Sequence, residues 1–185
     1  TGSVNPEIDA YNNWPGFFIL GALFTKAAGL TNAIPFLVWA PVFFNLIYLL
    51  PLRAIMLSMT GDRRLIWLGL WFFNLANWVG QDYFAPQAFG YFLYLVILAV
   101  LLTWFVIPGQ PSLLVKLAQG RSILVRPARF VQSWLGRADQ TAAPIHPLAR
   151  TVLLLIVVDA FLVIVASHQL TPFALLAGAA VLVLF

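Results

Sequence analysis

The sequence predicts an all-α protein: a polytopic transmembrane bundle of about five spans, with an interfacial amphipathic helix near the N-terminus. The 185 residues are 62% hydrophobic and only 9% charged, whereas a soluble domain carries about 25% charged residues. Five stretches are apolar enough for a bilayer, which takes roughly 17–25 helical residues per span. The net charge of +4 comes from arginines between these stretches, which indicates membrane orientation rather than nucleic-acid binding.

The chain divides into four parts. The first is the end of an extracytoplasmic loop with its interfacial helix, and three transmembrane helices follow. A basic cytoplasmic loop then leads to two further helices, the last of which is truncated. The parts are 1–33, 34–107, 108–149 and 150–185, and the spans within them are 34–57, 65–81, 87–107, 150–167 and 172 onward.

The segment 14–30 decides the orientation of the whole chain. If it lies on the membrane, nine of the ten Lys and Arg residues are cytoplasmic and only Lys26 is outside; if it crosses, those nine are exported. The positive-inside rule selects the first arrangement. We therefore expect a cytoplasmic (inner) membrane protein with residues 1–33 extracytoplasmic. Phe17, Leu20, Phe24 and Ala27 have the helical spacing of a lipid-facing stripe.

Local sequence features indicate the structure of the first span and of the basic loop. Pro41 and Pro51, together with Asn45, indicate that the span 34–57 is bent. The loop 108–149 mixes basic and apolar residues, which favours short helices on the anionic inner leaflet over a solvated linker. No cysteine is present, so a disulfide framework is excluded.

Features at both ends of the sequence predict that it is a fragment of a larger multi-span protein. The chain begins at Thr1 without a signal-peptide pattern. The final apolar run, Pro172 to Phe185, is too short to cross the hydrocarbon core.

Three polar, aromatic-rich segments fall on the predicted outer side: 9–17, 77–87 and 167–172. In the second of them, Asn77 and Gln81 continue a helical stripe from Asn74 and are followed by Asp82. Gln87, Tyr91 and Tyr94 have a similar spacing at the start of the next span. These groups predict a site for a polar headgroup in a common outer chamber. The simpler alternative is interhelical hydrogen bonding beside an ordinary aromatic belt.

Three further polar residues leave alternatives open. His168 suits a phosphate or sugar contact better than a zinc site, because it has no second histidine nearby; we therefore predict no metal site. Asp9 is either a general base or metal ligand over the outer leaflet, or a solvated acidic turn. Asp159 lies mid-span, where an acid is costly. Its alternatives are proton coupling and, favoured here, a neutral carboxyl hydrogen-bonded to a neighbouring helix.

Taken together, the segments Tyr11–Phe18, Asn77–Gln87 and Ser167–Pro172 resemble a group of bacterial, mainly actinobacterial, multi-span membrane proteins related to the GT-C glycosyltransferases. The resemblance covers nearly the whole chain. It implies transfer of a sugar from a polyprenyl-phosphate carrier to an acceptor on the outer face, with membrane lipids and the lipid-linked sugar as partners. It also implies an outer-loop carboxylate as base, and some members use a divalent metal, Mg²⁺ or Mn²⁺.

The resemblance assigns roles to particular residues. Asp9 and Asp82 are the candidate catalytic carboxylates, although the part of the outer loop that usually carries the main base would precede Thr1. The candidate substrate-binding residues are Tyr11, Trp14, Asn77, Gln81, Tyr83, Gln87, Tyr91, His168 and Gln169.

Two other functions fit the same sequence. A transporter or lipid flippase would use Asp159 and the bent first span. A non-catalytic membrane subunit would use its polar residues for assembly only.

Overall fold

The computed structural model describes residues 13–77, 82–105 and 145–184. Within these ranges the chain is helical and has no strands, so the predicted all-α class is confirmed. The predicted residues Asp9, Tyr11 and Gln81, and nearly all of the loop 108–149, lie outside the described residues. The helices are α1 (Gly16–Ala27), α2 (Ile34–Met59), α3 (Arg63–Ala76), α4 (Pro86–Trp104), α5 (Pro147–Ser167) and α6 (Thr171–Leu184).

In the described part, three helices are long and apolar enough to cross a membrane: α2, α4 and α5, with 26, 19 and 21 residues. The predicted span 65–81 is shorter than expected, because α3 has 14 residues and ends at Ala76. At 1.5 Å per residue it is about 21 Å long, less than the roughly 30 Å of hydrocarbon. The described residues are therefore consistent with a helical membrane bundle, in which three helices have spanning length and three are shorter.

The central helix of the bundle is α4. One side of it packs against α2 and α3, where Tyr48, Leu52 and Leu70 are buried. The other side packs against α5 and α6 around Ile97 and Ile164. Because α4 contacts both groups, it determines how the two halves of the bundle meet.

The short helix α1 packs across one end of this bundle. Gly16 allows it to approach α5 closely, since a methyl group at Gly16 would lie 2.9 Å from the carbonyl oxygen of Ala166. Phe17 is only 4% exposed, and its ring packs against Phe84 and Phe89 with centroids 4.9 and 6.0 Å away. The prediction that Phe17 faces lipid was therefore wrong, because α1 uses this ring to anchor itself to the bundle.

The two ends of the bundle differ in chemistry. The polar end, as we call it, holds the start of α1, the connection into α4 and the α5–α6 turn. The basic end holds Arg63 and Arg64 at the start of α3 and Arg150 at the start of α5. The Arg150 guanidinium lies over the Phe105 ring, 5.5 Å from its centroid. Which end faces the cytoplasm stays a prediction from the positive-inside rule.

Candidate functional site

The three aromatic-rich polar segments meet at the polar end, as predicted. Gly16, at the start of α1, packs on Ser167 at the end of α5. Gly90, in the first turns of α4, faces the α5–α6 turn: a methyl group there would lie 3.4 Å from the Thr171 hydroxyl and 3.8 Å from the His168 Cβ. The small side chains of these glycines let residues distant in sequence form one surface.

The most specific feature of this end is a hydrogen-bonded cluster of Asn45, Asn77 and Asp82, which we call the amide–carboxylate cluster. The side-chain nitrogen of Asn45 donates to Asp82 Oδ2 at 2.8 Å and to the carbonyl of Pro41 at 2.9 Å. The side-chain nitrogen of Asn77 donates to Asn45 Oδ1, also at 2.8 Å. Three separate elements, α2, the end of α3 and the connection into α4, are joined by these bonds.

Local structure explains why these residues can meet. Asn77 follows the last helical residue of α3 and leaves the helical conformation, with φ −76° and ψ 37°. Asn45 lies within α2, about 16 Å from its start and about 21 Å from its end. The cluster is therefore inside the length of a spanning helix and not on a loop beyond it. From the sequence Asn45 only marks a bent span; the one available signal was an amide in an otherwise apolar helix.

The cluster leaves one reactive atom available. Both donor hydrogens and the oxygen of Asn45 are engaged, so its orientation is fixed by its partners. Asp82 is half-buried, and its second oxygen, Oδ1, has no hydrogen-bond partner among the described residues. An ionised carboxylate only accepts hydrogen bonds. Asp82 Oδ1 is thus positioned to accept a hydrogen bond, or a proton, from a bound hydroxyl group.

Four other residues predicted for the site lie nearer the surface of the polar end. The Tyr83 hydroxyl donates to Gln87 Oε1, and both side chains are exposed. Trp14 is half-buried just before α1, and Gln169 is exposed in the α5–α6 turn. These four side chains surround the polar end without contributing to the amide–carboxylate cluster.

The described members of the two predicted helical stripes differ in their surroundings. Asn74 donates to the carbonyl of Leu70 in its own helix at 3.3 Å and is otherwise exposed. Tyr91 packs between α2 and α3, with ring centroids 5.3 Å from Tyr48 and 6.4 Å from Phe73. Its placement beside Tyr48 is that of a packing residue, whereas Gln87 is at the surface. Helical spacing alone did not reveal that neighbouring helices cover most of α4 while Gln87, in its first turn, is exposed.

His168 has a defined tautomer in the α5–α6 turn. Its Nδ1 accepts the backbone N–H of Thr171 at 3.2 Å and lies 2.8 Å from the Thr171 hydroxyl oxygen. When Nδ1 accepts, the proton of the neutral ring is on Nε2. Burial lowers the pKa of His168 below its ordinary value, so near neutral pH the ring offers one Nε2–H donor and no net charge.

This lowered pKa predicts a pH dependence of stability. The unfolded chain takes up a proton at His168 more readily than the folded protein, so stability falls as the pH drops below the ordinary value of 6.5. In detergent, the melting temperature of His168→Gln should fall less than that of the parent between about pH 7.5 and about pH 5.5. His146→Gln, the same change at the opposite end of α5, is the control. Equal pH dependence in the two variants would contradict the assignment.

An apolar cavity, not predicted from the sequence, opens between α1, α2 and the start of α4. Its volume is about 440 Å³, within the range of roughly 300–1,000 Å³ typical of small-molecule sites. Asn45 and Asp82 do not line the cavity, but two of its lining residues are close to them in the chain: Phe44 precedes Asn45, and Phe84 lies two residues after Asp82. Its lining is almost entirely aromatic and aliphatic: Phe17, Leu20, Gly21, Phe24, Phe36, Trp39, Ala40, Phe43, Phe44, Ile47, Phe84, Phe89 and Phe92.

The described residues do not supply a ligand set for a divalent metal. They contain no group of three or more His, Cys, Asp and Glu side chains close together. In the amide–carboxylate cluster, Asp82 is the single carboxylate, and the Asn45 oxygen already accepts a hydrogen bond. A single carboxylate does not by itself define a site for Mg²⁺, which is usually held by one or two carboxylates together with waters and substrate phosphates, so no step through a metal is derived from these residues.

Comparison of the chain with protein-family models, curated proteins and solved structures finds no match. The resemblance to the GT-C glycosyltransferases therefore stays a prediction from the sequence.

Proposed function

We propose that this chain belongs to an integral membrane glycosyltransferase-like protein that uses a polyprenyl-phosphate sugar as donor. The observation that carries the proposal is the apolar cavity of about 440 Å³, whose lining residues Phe44 and Phe84 are close in the chain to Asn45 and Asp82 of the amide–carboxylate cluster. A lipid-linked sugar has a hydrocarbon chain and a polar headgroup joined at one point. A site for such a lipid needs an apolar cavity for the hydrocarbon chain and polar groups close to it for the headgroup.

The cavity has the properties required of a site for the hydrocarbon chain. Its walls come from α1, α2 and the start of α4, and its lining includes eight phenylalanine side chains and Trp39. Such a surface offers dispersion contacts and no hydrogen bonds. The branched, unsaturated units of a polyprenyl chain pack well against aromatic rings, and the remaining length of the chain stays in the bilayer.

The polar end has groups suited to the sugar. Asp82 Oδ1 accepts from a hydroxyl, and the Nε2–H of His168 donates to an oxygen of the headgroup. Trp14 and Tyr83 offer aromatic faces, and amphipathic rings of this kind are common where one side of a ligand is apolar and the other is wet. Lys26, the one basic residue predicted on this side, lies at the last turn of α1.

The reaction is a substitution at the anomeric carbon. A hydroxyl oxygen of the acceptor forms a bond to C1 of the sugar while the bond from C1 to the phosphate oxygen breaks. Polyprenyl phosphate leaves with the electron pair of that bond. The hydroxyl proton goes to a carboxylate, and Asp82 Oδ1 is the described carboxylate oxygen available for it. General-base catalysis of this kind contributes about 10²–10⁴-fold to the rate.

The transporter alternative gains nothing from the described residues. It assigned proton coupling to Asp159, but this side chain is exposed on α5, on the side away from the bundle. The predicted hydrogen bond from Asp159 to a neighbouring helix is also not formed within the described residues.

The direct test is sugar transfer in membranes. Membranes containing the full protein are incubated with a panel of radiolabelled polyprenyl-phosphate hexoses and pentoses, and label is followed into acceptor and into released polyprenyl phosphate. Transfer from any member of the panel supports the proposal. Binding of the lipid without transfer, together with its movement between leaflets, would replace it with the flippase alternative.

Filling the cavity should weaken lipid binding. Gly21 lines the cavity, so Gly21→Leu places three additional carbons beyond the Cβ into the space for the hydrocarbon chain. Capture of a photoreactive polyprenyl phosphate in vesicles should become about tenfold weaker or more, which corresponds to about 1.4 kcal/mol. The matched control is Ala22→Leu, since Ala22 is exposed on the same helix and does not line the cavity.

A graded variant separates loss of binding from loss of fold. A methyl group at Gly21 would lie 3.4 Å from the Phe84 ring, a tight contact that the ring can accommodate by a small shift. Gly21→Ala should therefore bind with intermediate strength. If Gly21→Leu and Ala22→Leu bind the probe equally well, the cavity is not the site of the hydrocarbon chain.

A further inference from the structure

The side chain of Asp82 is held by a residue of helix α2. Asp82 lies in the connection between α3 and α4, outside any helix, so no helical backbone sets the direction of its side chain. Among the described residues, the side-chain nitrogen of Asn45 is the group that hydrogen-bonds to this carboxylate, at 2.8 Å from Oδ2. The direction in which Asp82 Oδ1 points therefore depends on a residue that is 37 positions away in the chain.

The other end of this connection is held by the same turn of α2. Tyr48, three residues after Asn45, donates to the carbonyl of Ala88 in the first turn of α4 at 2.9 Å. Residues three apart share one face of a helix, so Asn45 and Tyr48 reach the connection from one side of α2. Between these two bonds, the Phe84 ring stacks on Phe36 of α2, with centroids 5.7 Å apart. The connection is thus held against α2 along its length.

Asn77 determines which way the Asn45 amide faces. Its side-chain nitrogen donates to Asn45 Oδ1 at 2.8 Å, and an ionised carboxylate can only accept hydrogen bonds. If the Asn45 amide were reversed, its oxygen would face the Asp82 carboxylate and its nitrogen would face the donor of Asn77, and both bonds would be lost. One orientation of Asn45 satisfies both neighbours, and it engages Oδ2 of Asp82 while Oδ1 has no partner among the described residues.

We propose that Asn45 is a positioning residue for the proposed glycosyl transfer. It holds Asp82 so that Oδ1 is free to take the proton of the acceptor hydroxyl, and Asn77 acts by holding Asn45. This role rests on the proposed function, whereas the hydrogen bonds themselves do not. A base must lie within about 2.6–3.2 Å of the atom whose proton it takes. A misplacement of about 1 Å can lower a rate about 10²-fold.

The simpler role for Asn45 is to join helices by hydrogen bonds, as amides do in membrane proteins. Both roles require the bonds to Asp82 and Asn77, but they differ in what happens when Asp82 is itself replaced. An amide that only joins helices contributes to the fold whichever side chain is the base. A positioning residue contributes to the rate only while the group that it positions is present.

Asn45→Leu removes the amide and keeps a side chain of similar size. In membranes containing the full protein, this variant should lower kcat for sugar transfer about tenfold to hundredfold, while the KM for the polyprenyl-phosphate sugar stays near the parent value. The matched control is Asn74→Leu. Among the described residues, Asn74 bonds to the carbonyl of Leu70 in its own helix, at 3.3 Å, and to no member of the cluster. It should transfer at the parent rate.

A double-mutant cycle tests whether Asn45 acts through Asp82. In the Asp82→Asn background, Asn45→Leu should cause no further loss of kcat. A full additional loss there, or an unchanged kcat for Asn45→Leu alone, would overturn the positioning role. Asn77→Leu is the second variant, because it releases the Asn45 amide without changing α2. It should lower kcat in the parent and add nothing to Asn45→Leu; an additive loss would overturn the role of Asn77.

An infrared measurement does not require activity and separates the two proposals. The difference between the spectra of the parent and Asp82→Asn in detergent gives the carboxyl band of Asp82. Loss of the bond to Oδ2 should shift this band in Asn45→Leu, and Asn74→Leu should leave it in place. An unshifted band in Asn45→Leu overturns the positioning role whether or not sugar is transferred. A shifted band in a protein that transfers no sugar removes the proposed function and keeps Asn45 as the group that orients Asp82.

Discussion

Replacing Asp82 with Asn is expected to lower the rate of glycosyl transfer about 10²–10⁴-fold, the usual contribution of a general base. The change removes the ability to take a proton but retains a side-chain oxygen that can accept the hydrogen bond from Asn45, which is 2.8 Å long in the parent. The amide–carboxylate cluster should therefore keep its arrangement. The measurement is the initial rate of transfer from the polyprenyl-phosphate sugar that is most active in the panel.

The same substitution at the opposite end of the bundle provides the control. Asp62 caps α3, where its side chain accepts the backbone N–H of Arg64 at 2.8 Å, and Asn caps helices about as well as Asp. Asp62→Asn should leave transfer unchanged. If Asp82→Asn also transfers at the parent rate while the lipid still binds, the base is another group and the cluster only holds the connection in place.

Replacing Tyr48 with Ala is expected to destabilise the folded protein by about 3–5 kcal/mol, as for other large-to-small changes in a core. Tyr48 is fully buried, with 0% of its surface exposed. Its ring lies within 5.8 Å of Phe44 and 6.2 Å of Phe73, centroid to centroid. Its hydroxyl donates to the carbonyl of Ala88 in α4 at 2.9 Å. The loss would show as a lower midpoint of unfolding in detergent.

Two further variants divide this effect into packing and hydrogen bonding. Tyr48→Phe keeps the ring and should cost only about 0.5–1.5 kcal/mol, the net value of one hydrogen bond. Tyr83→Ala removes the same side chain from an exposed position, where 46% of it is accessible, and should have little effect. If Tyr48→Ala were no more costly than Tyr83→Ala, the contact between α2 and α4 would not depend on this ring.

The positions of the helices followed from local signals, and the structure agrees with them closely. Runs of apolar residues predicted the starts of α2, α4 and α5 within a few residues. The sequence also predicted that the three polar segments lie at one end of the bundle, because each of them adjoins the end of a helix on the same predicted side. Such features depend on residues close together in the chain, which is why a single sequence was sufficient.

Side-chain orientation was predicted less well, because it depends on how helices pack. Periodicity assigned Phe17 to a lipid-facing stripe, but the ring is buried on Phe84, a residue far along the chain. Periodicity also grouped Tyr91 with Gln87, although neighbouring helices cover the first and leave the second open. Asn45 meets Asp82 across 37 residues, and no local pattern indicates that contact. The cavity is formed by three helices together and has no counterpart in any one segment.

Hydrophobic mismatch follows from the length of α3. The helix is about 9 Å shorter than a typical hydrocarbon core, and it ends at Ala76, one residue before Asn77 of the amide–carboxylate cluster. A short helix is accommodated by local thinning of the bilayer, so the lipid surface at the polar end is drawn toward the bundle at this point. In the proposed reaction, such thinning would let water and the hydroxyl group of the acceptor reach the depth of Asp82, while the hydrocarbon chain of the lipid stays in the apolar layer.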